Sequence, residues 1–97
     1  MFDYTGQIVR ADAGRDKGGI FCVVGMDQER TMLLLADGKR RKLSHPKAKK
    51  LGHVTQLTDS QNLYDHPVIQ SLQQGEPVSD RALRRALAAF KEGTTLG

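Results

Sequence analysis

The sequence predicts a mainly β fold, a small five-stranded barrel with a helical extension on its C-terminal side. Three observations carry that expectation. Short β-branched and aromatic runs recur through the first 57 residues, separated by turns bearing glycine or aspartate. After residue 66 the apolar spacing becomes helical. A chain of 97 residues, 38% apolar with five aromatics and no tryptophan, has material for one thin-cored domain plus an appendage and excludes a multidomain enzyme.

Residues 6–12 mix apolar and polar side chains as a half-buried strand does, and 13–19, holding Gly14, Gly18 and Gly19, read as a turn. The run Ile-Phe-Cys-Val-Val at 20–24 is a second strand, and the polar stretch 26–30 reverses the chain before a third at 31–35. Asp37-Gly38 is a hairpin dipeptide, since both turn positions tolerate positive φ, which places a fourth strand at 39–43 ahead of Pro46. Residues 53–57 supply a short fifth, so 1–57 form the barrel unit. Beyond it, 58–97 comprise a connector (58–66) and two helices. Pro67 at a first helical position and Gly75 past a last one bound a helix at 67–74. Ser79 or Asp80 caps another at 80–92, in which Leu83, Ala86, Leu87 and Phe90 share a face and Gly93 acts as the stop, leaving 94–97 frayed. Leu83, Leu87 and Phe90 are expected to cover the thin barrel.

The net charge of +4 is unevenly placed: residues 1–58 carry eleven Lys/Arg against six acids, and 59–97 carry four against five. A basic first part points to a polyanion, because cations that neutralise phosphates release condensed counterions. No apolar run approaches the roughly 20 residues of a membrane span. Met1-Phe2-Asp3-Tyr4 lacks the build of a secretory signal, so the expected location is cytoplasmic and no membrane partner is expected. The single cysteine, Cys22, excludes an internal disulfide and a cysteine-rich metal site, and its apolar neighbours make it a core residue. Neither Gly14 to Gly19 nor Gly38-Lys39-Arg40 has the Lys-Ser/Thr ending of a nucleotide-binding loop. His45, His53 and His66 lie at no metal-ligand spacing and read as surface residues. The acids Asp3, Asp12, Asp16, Asp27, Glu29 and Asp37 fall at turns. The sequence thus predicts no enzyme, cofactor or metal.

Gly6-x-x-Val9-x-Ala11-x-x-Gly14-x-x-Lys17-Gly18, followed by the apolar run 20–24, resembles the KOW motif. The likeness covers about residues 5–57 and is to the small bacterial KOW-domain proteins that resemble large-subunit ribosomal proteins. It implies an SH3-like barrel and association with RNA or the ribosome. Many KOW motifs carry a further glycine after the Lys-Gly pair; here Gly19 follows directly and Phe21 stands near that place.

In the loop, Gly14 and Gly18 permit positive φ and expose Arg15 and Lys17. A second cluster, Lys39, Arg40, Arg41, Lys42, Lys47, Lys49 and Lys50, places seven cations in twelve residues with no acid among them. If 39–43 is a strand, Lys39 and Arg41 share one face and Arg40 and Lys42 the other, so inward cations must reach a rim; otherwise the segment is an edge or a loop. With Arg10, these are the candidate RNA contacts, the arginines orienting by bidentate hydrogen bonds and the lysines acting as point charges. Phe2, Tyr4, Phe21 and Tyr64 are too few for a single-strand stacking platform, and structured RNA, such as rRNA, read through its backbone is the expected partner. Two other functions fit parts of the chain. The barrel and the amphipathic C-terminal helix suit a protein-binding adaptor or self-association, and 67–92, with Arg81, Arg84 and Arg85, resembles a helix-turn-helix DNA binder with a long turn.

Overall fold

A computed structural model describes residues 4–59 and 61–96. Phe2 and Asp3, named above as an aromatic and a turn acid, lie outside the described residues. Five antiparallel strands, β1 (Ile8–Ala11), β2 (Ile20–Asp27), β3 (Met32–Ala36), β4 (Lys47–Lys50) and β5 (Val54–Gln56), form one sheet in the order β4-β3-β2-β1-β5, followed by helices α1 (Pro67–Gln73) and α2 (Asp80–Leu96). The first three strands lie within a few residues of their expected places. β2 continues to Asp27, where the carboxylate accepts from the Arg30 amide at 3.2 Å and from its Nε at 2.7 Å, closing the reversal into β3.

The fourth strand is not at 39–43. Asp37 Oδ1 accepts from the amides of both Lys39 and Arg41, each at 2.9 Å, and the Arg41 carbonyl accepts from the amides of Asp37 and Gly38. The backbone groups a hairpin would place in a ladder are thus taken within a tight loop. The strand begins after Pro46 instead, pairing Leu33 with Lys49 and Leu35 with Lys47 at the sheet edge, where Lys47 and Lys50 are exposed and Lys49 is buried.

β4 and β5 are the two sheet edges, yet only a 3-10 turn, Leu51–His53, joins them. In a flat sheet four strand spacings would put the edges about 19 Å apart. Four residue steps at the 3-10 rise cover only about 8 Å. The sheet is therefore curled.

Side-chain alternation gives it two apolar faces. Val9, Ala11, Phe21, Val23, Leu33 and Leu35 pack together on the inner one. Ile8, Cys22 and Ala36 face outward and are covered by Ile69 of α1 and by Leu83 and Leu87 of α2, with Phe90 beside them, as the helical spacing predicts. Cys22 is fully buried in this layer, and burial pushes its thiol up to about 12.

His66 is not a plain surface residue: it is half-buried, and its Nδ1 accepts from the Val68 amide, capping α1. Tyr64 donates to the Ala86 carbonyl at 3.1 Å and packs edge-on to Phe90, which fixes its ring on α2. Ser79 Oγ accepts from the Ala82 amide at the start of α2. Gly93 does not stop that helix. It does not take up the positive φ of a helix stop, and α2 runs on to Leu96, through most of the stretch expected to fray. No helix among the described residues is long and apolar enough to cross a membrane.

Candidate nucleic-acid interface

The loop between β1 and β2 turns on Gly14 (φ +79°) and Gly18 (φ +88°), the positive φ expected of these two glycines. Its centre is Asp16, whose side chain is only 3% exposed. An ionised carboxylate is rarely buried without a cation, and here the cation comes from the loop after β3. Arg41 donates from Nε to Oδ1 at 3.3 Å and from Nη2 to Oδ2 at 2.8 Å, a fork on both oxygens. Arg40 Nη2 stands 3.9 Å from Oδ1. Burial pushes the Asp16 carboxyl up, but the hydrogen bonds and charge of Arg41, together with Lys49 and Arg40, outweigh it and hold the group below the ordinary carboxylate value.

Lys49 reaches the same point from β4. It is 7% exposed, and its ammonium passes so close to Gly14 that a β-carbon there would sit 3.1 Å from Nζ. The two glycines therefore differ in use: Gly14 makes room for a buried cation, whereas Gly18 turns in open space.

Asp16 thus ties together the two segments proposed from sequence, the glycine loop and the basic segment, and sorts their cations. Arg41 and Lys49 point in and neutralise the carboxylate. Arg15, Lys17, Lys39, Arg40 and Lys42 are exposed around them, as are Lys47 and Lys50 on β4. The expected two-and-two alternation of residues 39–42 gives way to one inward arginine and three outward cations. A loop needs only one buried partner for Asp16, while a strand would have forced two cations inward.

Arg10 belongs to a separate surface cluster. Its Nε donates to Asp12 Oδ1 at 3.1 Å and its Nη2 to Thr55 Oγ1 at 3.2 Å, while the Thr55 hydroxyl donates to Asp12 Oδ2 at 2.5 Å, fastening β1 to β5. Hydrogen bonds from Thr55 and Arg10 hold the Asp12 carboxyl below its ordinary value. Tyr4 is half-buried against the inner apolar cluster. Among the described residues, no three His, Cys, Asp or Glu side chains gather as metal ligands.

The sequence reading missed Asp16 as the organiser. Its only local mark is that it is the one acid between Arg15 and Lys17; its partner lies 25 residues away. The loop after β3 also docks on α2: the Leu43 amide donates to Asp80 Oδ1 at 2.8 Å, and a β-carbon at Gly38 would overlap the Asp80 carbonyl. The chain matches no family model and no curated protein sequence.

Proposed function

We propose that the chain is a KOW-type RNA-binding module associated with the ribosome, gripping structured RNA through its phosphates and carrying out no catalysis. The carrying observation is the Asp16–Arg41 fork, which holds the glycine loop against the basic loop so that Arg15, Lys17, Lys39, Arg40 and Lys42 stand exposed on adjoining loops. Cations fixed on a tied framework lose little freedom on meeting a phosphate backbone. The curled five-stranded sheet with an apolar inner face supports an SH3-like barrel, and the positive φ of Gly14 and Gly18 supports the KOW likeness. The helix-turn-helix reading has less support, because the Gly38 loop packs on the backbone of Asp80 and Arg84 and so occupies one side of the first turn of α2, the turn a recognition helix presents to bases.

The test is sedimentation of the tagged protein in cell lysate at low and high salt, with RNA extracted from each fraction. Cosedimentation with the large ribosomal subunit, lost at high salt, is expected. Replacing Lys39, Arg40 and Lys42 by Ala should make the salt dependence of binding shallower by up to about 3 units. Migration as free protein without RNA at low salt would overturn the proposal.

A further inference from the structure

Helix α2 offers a second set of cations. Arg81, Arg84 and Arg85 are exposed, while Leu83, Ala86 and Leu87 between and after them are buried, the two leucines in the cluster shared with the sheet. At about 100° per residue the three arginines cover one continuous strip of the helix, Arg84 at one border and Arg85 at the other. No acid pairs with them among the described residues; the acid at this end, Asp80, is directed onto the Leu43 amide.

The neighbours of the strip give it meaning. On the Arg84 side lies the loop after β3: a β-carbon at Gly38 would come within 3.1 Å of the Arg84 amide nitrogen, and Lys39 is the next residue. On the other side Arg81 and Arg85 line a cavity of about 560 Å³ together with His66 and Ser79. The cations of the loop and those of the helix are therefore neighbours across a contact too tight for any side chain at position 38. Arg15 and Lys17 flank Asp16, Arg40 stands 3.9 Å from its Oδ1, and Lys39 follows the Gly38 that packs on Arg84, so exposed cations of three chain segments adjoin through these contacts.

We infer that the arginine strip of α2 is part of the same RNA interface, taking phosphates of the RNA that the Lys39–Lys42 loop holds, with Arg81 and Arg85 beside the cavity as its far end. The inference rests on the function proposed above. It assigns the helical extension two roles, covering the sheet with its apolar face and contacting RNA with the opposite one. Arginine suits this place because its planar fork meets a phosphate with two hydrogen bonds.

The experiment measures binding of the full chain to purified large-subunit rRNA across a salt series, for the wild type, R81Q/R84Q/R85Q, R81K/R84K/R85K, and K39Q/R40Q/K42Q. The glutamine helix variant should bind more weakly, with a log–log salt slope shallower by up to about 3, roughly one for each lost phosphate contact. The lysine variant should keep the wild-type slope, which separates charge from folding, and thermal melting should be alike for all, since the positions are exposed. A glutamine helix variant that keeps the wild-type affinity and slope, while K39Q/R40Q/K42Q loses both, overturns the inference and leaves the proposed function standing. Failure of the wild type itself to bind the rRNA at low salt overturns the proposed function, and the inference with it.

Discussion

Asp16 and Arg41 form a pair in which one partner is buried and the other only partly so, with side chains 3% and 30% exposed. Losing a charged hydrogen-bonded partner at such a site costs about 2 kcal/mol. Asp16→Asn should therefore lower unfolding stability by about that amount at neutral pH, measured by urea denaturation. The pH dependence has a definite sign. The folded carboxyl lies below its ordinary value, so its contribution is complete above the unfolded value of about 4 and is lost as pH falls through the lower folded value. The gap between wild type and Asp16→Asn should accordingly narrow in acid. Asp12 and Asp27, also held low by hydrogen bonds, are common to both proteins and cancel in the comparison. A gap that stays constant from neutral pH into acid would remove the ion pair as its cause. The same pair divides the arginines by role: Arg41→Ala should lower the melting temperature, whereas Arg40→Ala should act on the salt dependence of the proposed RNA binding.

At the scale of elements, the loop between β3 and β4 is where the local signal and the fold part company. Gly38 and Gly18 both have positive φ, +78° and +88°, but only Gly38 lies against backbone, that of Asp80 and Arg84. Gly18→Ala should cost only the backbone term, about 1 kcal/mol, because nothing lies near its β-carbon. Gly38→Ala should cost clearly more, since the loop must also lift from α2 and release the Leu43–Asp80 hydrogen bond. Equal losses in denaturation midpoint would argue against the docking. This contact also explains why the loop could not be read from sequence. Asp37-Gly38 does mark a chain reversal, but the path of residues 39–43 is decided by Asp37 capturing two amides and by Asp80, 37 residues away from Leu43. The strand that does form, Lys47–Lys50, has a single apolar residue and no strand signature; pairing with β3 at an edge suffices for it. The first three strands and both helix starts were legible because their own apolar spacing, turn residues and caps specify them. Likewise both cationic segments of the candidate interface could be read from composition, and their meeting at Asp16 could not.

For the molecule as a whole, the issue is whether helices and sheet open together. The outer cluster draws Ile8, Cys22 and Ala36 from three neighbouring strands and Ile69, Leu83 and Leu87 from the helices, so neither layer can bury its apolar face without the other. A domain this small has little stability to divide among separate units. Cys22 is a built-in reporter: it is fully buried beneath the helices and its thiol is pushed up to about 12, so alkylation in the native state has to wait for opening. Leu83→Ala removes a helix side chain from the cluster that holds Cys22, and Leu33→Ala removes one from the inner cluster on the opposite face. Each should cost about 2–5 kcal/mol. If the chain opens as a unit, each variant accelerates Cys22 labelling by about tenfold for every 1.4 kcal/mol that denaturation shows it has lost. If instead the helices lift from an intact sheet, Leu83→Ala speeds labelling and Leu33→Ala leaves it at the wild-type rate. The shared cluster predicts the first outcome, in which the arginine strip of α2 and the basic loop stay at a fixed distance for as long as the protein is folded.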